Sequence, residues 1–489
     1  MKQKSIKLNF VMNMILNMSS FLFPLISFPY ISRILLPAGT GKISFASSQI
    51  AYFSMFAQLG IPTYGIWACA RVRDDREKLT RTAQELLIIN LVTSAVSYVA
   101  LFLSIALIPR LREEKTLYVI LSLTIILNSI GMEWLYKALE QYTYITVRSV
   151  AFKLVALIAM FLLVHEQSDY LVYGAISIFA SSASNVLNFL IVRNYINLKP
   201  VGKYHFRRHF KGILTFFAMD CAVTVYTNLD TVMLGFMQSD IEVGYYHAAI
   251  KIKMILVSIV TSLGEVLLPR ASYYAENRMA AEFRHITEKS LSFVFLFATP
   301  LMIYFTLFAG EGIWFLSGKA YSGAILPMQI IMPTVLFIGI TNILGNQILV
   351  PLGRERTMLC SEMVGAVVDL MANALLIPRL SSAGAAAGTL LAEVSVFLVQ
   401  YVTLKDQVGC CFRQIHYRRI LLAVMLSMAA SLWVKMVPLN SFMTLFVSAV
   451  LFFGVYGLYL LAVRENLVVE IWYIVADNVK IMVKKGSAP

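Results

Sequence analysis

The stretch ISFASSQIAYFSMFAQLGIPTYGIWACA, residues 43–70, contains no charged side chain. An α-helix that crosses the hydrocarbon layer of a bilayer, roughly 30 Å thick, needs about 20 largely apolar residues. This stretch is long enough and apolar enough to do so. It therefore predicts a membrane-spanning helix.

Similar segments recur along the whole chain. Further charge-free runs lie at 10–32, 86–109, 170–192, 290–310, 320–353 and 436–463. Weaker candidates lie at about 116–136, 147–164, 212–236, 246–268, 357–377, 384–401 and 420–437. Together they predict about fourteen transmembrane helices, which leave only short loops and no room for a soluble domain.

The composition agrees with a membrane protein. Hydrophobic residues make up 59% of the 489 residues and charged residues only 14%, whereas soluble domains carry about 25% charged residues. No soluble fold of this length buries so much apolar surface, but a bilayer accepts it on the outside of every helix. The predicted fold class is therefore an all-α integral membrane protein.

The distribution of basic residues predicts the orientation, because cytoplasmic loops are enriched in Lys and Arg. With the N-terminus inside, the inner segments carry 31 basic residues and the outer loops 7. This bias predicts that both termini are cytoplasmic. It also explains most of the formal net charge of +14, and nucleic acid is not an expected partner because the charge is spread over many loops.

The two ends of the chain and the cysteines add three smaller predictions. The first apolar stretch lacks a small-residue cleavage site and is interpreted as an uncleaved span. The tail at 464–489 places apolar residues at helical spacing among charges, which is typical of an amphipathic helix on the inner leaflet. The five cysteines have no disulfide or metal-site spacing, and no metal or cofactor is expected.

Four of the predicted spans each carry one polar face, which we call a polar seam. Its members recur at steps of three and four residues, the spacing of one face of a helix. The seams comprise Asn13, Asn17, Ser20, Pro24 and Ser27; Ser44, Ser47, Ser54 and Gln58; Asp220, Thr224, Thr227, Asn228 and Thr231; and His247, Lys251, Ser258, Ser262 and Glu265. Polar groups inside a membrane usually face a protein interior or a water-filled cavity, so the seams predict a central cavity.

A structural interpretation of the same residues stays open. Ser, Thr and Asn often join neighbouring transmembrane helices by hydrogen bonds, and Asp220, Lys251 and Glu265 alternatively form ion pairs between helices. Arg148 and Lys153, at the predicted start of a span, are interpreted as interface anchors.

Motifs typical of enzymes are missing from the sequence. There is no Walker loop, no G-x-S-x-G, no H-E-x-x-H and no Cys/His cluster. The longest predicted outer loop, about 309–325, is too small for a catalytic domain. A secondary transporter is therefore expected rather than an enzyme.

Several strings, in this order along the chain, resemble the Wzx-type polysaccharide repeat-unit flippases of the multidrug/oligosaccharidyl-lipid/polysaccharide exporter superfamily. They are SRILLPAGTGKISFASS (32–48), LGIPTYGIWACARVRDDREKL (59–79), EWLYKALEQYTYITVRSVAFKL (133–154), NLDTVMLGFMQSDIEVGYYHAAIKI (228–252), LLPRAS (267–272) and ILVPLGRER (348–356). Each string is loose, and the specificity lies in their order and spacing.

The resemblance implies an architecture and an activity. The architecture is two six-helix lobes around a central cavity, at 1–200 and 201–403, with two further helices at 404–463. The activity is movement of an undecaprenyl-pyrophosphate-linked oligosaccharide to the outer leaflet of the bacterial inner membrane by alternating access, driven by a proton or sodium gradient. Membrane lipids, a polysaccharide polymerase and chain-length proteins are the implied further partners.

Combining the seams with the resemblance gives the predicted site residues. The substrate-binding set is Lys251, Arg33, Asn13, Asn17, Ser54, Gln58, Asn228, Thr224 and His247, in which a cation faces the pyrophosphate and neutral side chains face the sugar. The ion-coupling set is Asp220, Asp369 and Glu265. An Asp220–Lys251 pair is a further hypothesis, because a nearby lysine favours the ionised carboxylate that burial opposes.

Three alternatives remain at this level. A cation-coupled multidrug exporter shares the fold but favours a more aromatic and acidic site. A peptidoglycan-precursor flippase favours a more strongly cationic cavity. A membrane glycosyltransferase or ligase requires catalytic acids and bases in an outer loop.

Overall fold

The structure of the protein, a computed structural model, describes residues 6–470; the side chains of residues 6, 7, 21 and 263–266 lie outside that description. No β-strand occurs in this part of the chain, and the predicted all-α fold is confirmed. The first ten helices are α1 (Ile6–Gln58), α2 (Ile61–Ala70), α3 (Arg76–Leu107), α4 (Pro109–Glu113), α5 (Lys115–Gly131), α6 (Glu133–Ala138), α7 (Tyr142–Leu163), α8 (Tyr170–Ile178), α9 (Asn185–Ile191) and α10 (Arg207–Met237). The others are α11 (Asp240–Glu276), α12 (Ala280–Leu307), α13 (Ala309–Ser317), α14 (Ile325–Ile331), α15 (Thr334–Asn342), α16 (Glu355–Arg413), α17 (Tyr417–Leu432) and α18 (Ser441–Ala462).

Within residues 6–470, eleven helices are long and apolar enough to cross a membrane. The bent pair Lys319–Ile331 and Thr334–Leu349 forms a twelfth crossing if its two helices together count as one span. Two helices are far longer than one crossing needs, since α1 has 53 residues and α16 has 59. Each contains a non-helical residue, Leu36 (φ 57°) in α1 and Ser381 (φ 52°) in α16. Counting each as two crossings gives fourteen, and that number stays a prediction.

The chain divides into two compact units, Met1–His247 and Ala248–Pro489. The lobe boundaries at 200 and 403 stay predictions. The predicted amphipathic tail lies mostly beyond residue 470, outside the described residues.

Short polar side chains hold the first unit together where its helices cross the membrane. In α3, Asn90 and Thr93 both donate hydrogen bonds to the Ala57 carbonyl of α1, over 2.8 and 2.6 Å. Ser94 of α3 contacts the Ser129 hydroxyl of α5 at 2.7 Å. These contacts are the interhelical hydrogen bonds expected of small polar residues in transmembrane helices.

In the second unit, α18 packs on α12 through a few polar contacts. The Tyr304 hydroxyl of α12 donates to the Leu445 carbonyl of α18 at 2.8 Å. The Tyr456 hydroxyl of α18 donates to the Leu296 carbonyl of α12 at 2.9 Å. Both tyrosines are nearly inaccessible to solvent, so each hydroxyl finds its partner inside the protein.

Gly60 lies where α1 ends and α10 passes close by. Its φ is +72°, in the left-handed region that favours glycine. A Cβ atom at this position would lie 2.5 Å from the Phe217 nitrogen and 2.8 Å from the Ile213 carbonyl oxygen. The obstruction is backbone, which moves aside less easily than the end of a side chain.

We expect Gly60→Ala to lower the midpoint of thermal unfolding, because the substitution adds both left-handed strain and a backbone clash, together of about 1–3 kcal/mol. Gly454→Ala is the control, since no atom lies within 4 Å of its added Cβ. Differential scanning fluorimetry of the purified variants measures both. An equal midpoint in the two variants would contradict this account of the α1–α10 contact.

Candidate functional site

The first part of α1 is largely exposed, as α10 is. Asn13 and Asn17 of its polar seam are exposed. Apolar side chains on its other faces are exposed as well, with 55% for Met18 and 49% for Leu22. One segment thus presents amide side chains and lipid-compatible side chains in different directions.

The first part of α1 packs against α7, and Lys153 of α7 donates hydrogen bonds across this contact. Lys153 of α7 donates hydrogen bonds to the hydroxyls of Ser19 and Ser20, at 3.0 and 2.8 Å. Thr146 of α7 donates to the Met12 carbonyl at 2.9 Å. Ser20 belongs to the predicted seam of α1, so the structure brings this seam beside a cation.

Lys153 lies deep in the membrane-spanning part of α7. It follows the first residue of α7, Tyr142, by eleven positions, or about 16 Å at 1.5 Å per residue. Its partners are hydroxyls, and no carboxylate of the described side chains pairs with it. An intramembrane charge is costly and usually functional, so this cation without a direct ion pair marks the candidate site.

The interpretation of Arg148 and Lys153 as interface anchors is wrong for both, because Lys153 lies near the middle of α7 and Arg148 is only 5% exposed. Arg148 donates to the Glu133 carboxylate at 3.2 Å, to the Ser184 carbonyl at 3.1 Å and to Asn185 Oδ1 at 3.3 Å. The sequence placed Arg148 at the start of its span, but α7 begins six residues earlier. Arg148 is therefore compensated and structural, in contrast to Lys153.

The predicted residues of α10 are half-buried. The side chains of Asp220, Thr224 and Asn228 are each half-buried. Asn228 donates to the Thr224 carbonyl at 3.0 Å, which joins two residues of the predicted substrate set. Asp230, at the flank of that seam, is buried and accepts a hydrogen bond from Tyr246 of α11.

The other predicted residues of the first unit lie in different places. Ser54 and Gln58 are half-buried in the second part of α1. The His247 ring packs edge-on against Phe28, with centroids 5.6 Å apart. Arg33, five residues after Phe28 in α1, is exposed and donates a hydrogen bond to the Pro29 carbonyl of its own helix.

The remaining predicted residues belong to the second unit. Lys251 is half-buried and Asp369 is buried. The side chain of Glu265 lies outside the described residues. The proposed Asp220–Lys251 pair stays a prediction, as do the roles of the whole predicted set.

An outer ion-pair cluster, formed by Lys42, Arg110, Glu114 and Asp240, was missed by sequence reasoning. Lys42 pairs with Glu114 and Arg110 with Asp240, both at 2.5 Å. The Tyr170 hydroxyl of α8 also donates to Glu114, at 2.8 Å. The cluster ties the predicted outer ends of α1, α4, α8 and α11 together.

Two glycines allow α11 to approach α1 beside this cluster. A Cβ atom on Gly41 would lie 1.7 Å from the Asp240 carbonyl oxygen. A Cβ atom on Gly244 would lie 2.1 Å from the Pro37 carbonyl oxygen. Backbone thus meets backbone here, and α1 and α11 are in close contact at the predicted outer end of the first unit.

A second cluster that the sequence did not predict anchors α10 at its predicted inner end. The Glu85 carboxylate of α3 is fully buried and accepts hydrogen bonds from the His205 amide at 2.7 Å and from Arg208 at 2.6 Å. His209 Nε2 lies 2.7 Å from the same carboxylate, and its Nδ1 lies 2.9 Å from the Tyr64 hydroxyl. Each charge is satisfied within the cluster, which indicates a structural role.

Solved structures identify the class of fold. The lipid II flippase MurJ in an inward closed conformation aligns with a TM-score of 0.72 at 14% identity, over 92% of this chain and 98% of that one. An inward-facing multidrug resistance MATE transporter of the MOP superfamily aligns with a TM-score of 0.60 at 13% identity, over 80% and 95%. The chain is therefore a multi-pass membrane protein with the fold shared by these transporters.

The sequence identifies the family more closely. Residues 6–275 match the family described as "Polysaccharide biosynthesis protein", and the chain belongs to it. Relatives each named "Putative O-antigen transporter" occur in Escherichia coli K12, with 23% identity over 71% of this chain and 83% of the relative, and in Shigella dysenteriae, with 23% identity over 82% and 100%. The predicted resemblance is confirmed, and these relatives are named as transporters rather than enzymes.

We expect the Arg110–Asp240 pair to show energetic coupling in a double-mutant cycle of Arg110→Gln and Asp240→Asn. Both side chains are partly shielded, with 31% and 15% exposure, and contacting pairs of this kind couple by about 0.5–3 kcal/mol. The readout is the thermal unfolding midpoint of each single variant and of the double variant.

The control is a cycle on Lys78 and Asp75, an ion pair with 70% and 44% exposure. Exposed pairs contribute about 0–1 kcal/mol, so this cycle should be nearly additive. Additive midpoints for Arg110 and Asp240 as well would show that the outer ion-pair cluster does not hold the helix ends together.

Proposed function

We propose that this protein is a flippase that moves an undecaprenyl-pyrophosphate-linked oligosaccharide from the inner to the outer leaflet of the bacterial cytoplasmic membrane, with both termini in the cytoplasm. The observation that carries the proposal is Lys153, a cation near the middle of α7 that hydroxyls contact and that forms no ion pair with a described carboxylate. The names of the relatives from Escherichia coli and Shigella dysenteriae support the class of substrate.

The chemistry of such a substrate fits the surroundings of Lys153. A pyrophosphate is a strong acceptor of charge-assisted hydrogen bonds, which an ammonium group donates. A sugar needs neutral donors and acceptors, and the exposed amides of Asn13 and Asn17 provide both. The polyprenyl tail stays in the bilayer beside exposed apolar side chains on another face of α1, such as Met18 and Leu22.

The two ends of the first unit suit one state of an alternating-access cycle. The outer end is closed by the outer ion-pair cluster and by the Gly41 and Gly244 backbone contacts. The first part of α1, at the predicted inner end, is exposed. We propose that this state receives substrate from the inner leaflet.

A proton or sodium gradient is the proposed driving force. Asp220 is the first choice for the coupling carboxylate, because it is half-buried and no hydrogen bond or ion pair joins it to another described side chain. Asp369, which is buried, is the second. Membrane lipids, a polysaccharide polymerase and chain-length proteins are the proposed further partners.

We expect Lys153→Met to abolish or strongly reduce complementation of a bacterial strain that lacks its own repeat-unit flippase and makes the cognate sugar. Methionine keeps the length of the side chain but removes the charge. A hydrogen bond to a charged group contributes about 1.5–3 kcal/mol, or roughly 10- to 100-fold in affinity. Surface polysaccharide and the lipid-linked units that accumulate inside are the two readouts.

Lys153→Arg keeps the charge and should retain part of the activity. Lys78→Met is the matched control, since it removes an exposed lysine outside the candidate site. All variants are compared at equal amounts in the membrane. Full activity of Lys153→Met would remove Lys153 from the mechanism, whereas failure of the wild type with the cognate sugar present would overturn the proposed substrate.

A further inference from the structure

A pocket of about 580 Å³ lies at the predicted inner end of the first unit, away from Lys153. It forms between the first turns of α3 and the segment that follows α9. Its lining residues are Arg76, Glu77, Thr80, Arg193, Ile196, Asn197, Leu198, Lys199 and Val201.

Hydrogen bonds to α3 fix the shape of this pocket. The Gln84 amide donates to the Asn197 carbonyl at 2.6 Å and to the Lys199 carbonyl at 2.9 Å. The Asn197 backbone amide donates to the Thr80 hydroxyl at 3.3 Å. The segment that carries Lys199 is therefore held against α3, and the pocket is preorganised.

The charge of the pocket is positive and uncompensated. Arg76, Arg193 and Lys199 have no acidic partner among the described side chains. Glu77, the acidic residue of the lining, already pairs with Arg81 at 3.2 Å.

Two basic residues near the pocket, Arg73 and Arg208, form ion pairs with carboxylates. Arg73 pairs with Glu140 at 2.6 Å, and this contact raises the pKa of the arginine further. Arg208 pairs with the buried Glu85 at 2.6 Å. Arg73 and Arg208 thus have carboxylate partners, which the three cations of the pocket lack.

The pocket lies at the boundary between hydrocarbon and water. Arg193 directly follows the charge-free run 170–192, which places it at the end of a predicted crossing. Leu198 on the pocket wall is 48% exposed and offers an apolar surface beside the charges. A ligand with an anionic group at headgroup level and an adjoining acyl chain matches both features.

We propose that this pocket binds the phosphate headgroup of an anionic phospholipid of the surrounding leaflet. Basic pockets between transmembrane helices on the cytoplasmic side are typical sites for such headgroups, and each basic residue near the surface adds about 1 kcal/mol of attraction. A soluble phosphate anion shares the chemistry of the headgroup but lacks the acyl chain that Leu198 would contact.

The test uses the full-length protein in a neutral detergent, titrated with phosphatidylglycerol. Binding to the folded state raises the thermal unfolding midpoint in a concentration-dependent way. We expect wild type to be stabilised by phosphatidylglycerol but not by phosphatidylcholine of the same chain length or by inorganic phosphate. The double variant R193Q/K199Q, which removes two charges of about 1 kcal/mol each, should need roughly 30-fold more phosphatidylglycerol for the same shift.

The double variant K203Q/R207Q is the matched control, because it removes two basic side chains of the same connecting region that do not line the pocket. It should respond like the wild type, and R193K should retain binding. An unchanged midpoint of R193Q/K199Q without lipid shows that this variant folds, and if it does not, the single variant R193Q replaces it. An equal response of the pocket and control variants, or an inorganic phosphate shift as large as that of phosphatidylglycerol, would overturn the proposal.

Discussion

A positive charge inside a bilayer needs compensation from its own surroundings, and this constraint separates the structural from the functional cations of the first unit. Arg148 is buried, pairs with the Glu133 carboxylate and donates to two acceptors near the start of α9. Lys153, five residues later in α7, donates to the hydroxyls of Ser19 and Ser20 and forms no ion pair with a described carboxylate, although Glu133 is near enough to act on it electrostatically. The first arrangement stabilises the helix bundle, and the second leaves a charge available to an anionic substrate.

The two ends of the first unit differ in how tightly their helices pack. Ion pairs and glycine contacts close the predicted outer end, where Gly41 and Gly244 allow backbone to meet backbone. The first part of α1 is packed on one side by α7 and is exposed elsewhere. An asymmetry of this kind is expected of a carrier that exposes its site to one side at a time.

Much of the fold could be predicted from the sequence, because the length of charge-free runs is a direct consequence of bilayer thickness. The polar seam of α1 was also predicted, since helical spacing reveals which residues share a face. Pairing across helices could not be predicted in the same way. The Arg110–Asp240 pair joins residues 130 positions apart, and the role of Lys153 depended on where α7 begins. Because α7 begins six residues before Arg148, this residue is buried within the helix and is not at its start as predicted.

The most direct test of the account is leaflet-to-leaflet movement of substrate by the purified protein. Vesicles containing it are loaded with undecaprenyl-pyrophosphate-linked oligosaccharide, and a glycosidase added outside reports the fraction that reaches the outer leaflet. The account predicts movement that depends on an imposed proton or sodium gradient and that loses this dependence in Asp220→Asn. No movement of the lipid-linked oligosaccharide, together with gradient-driven transport of a small cationic dye, would contradict it and indicate a small-molecule exporter.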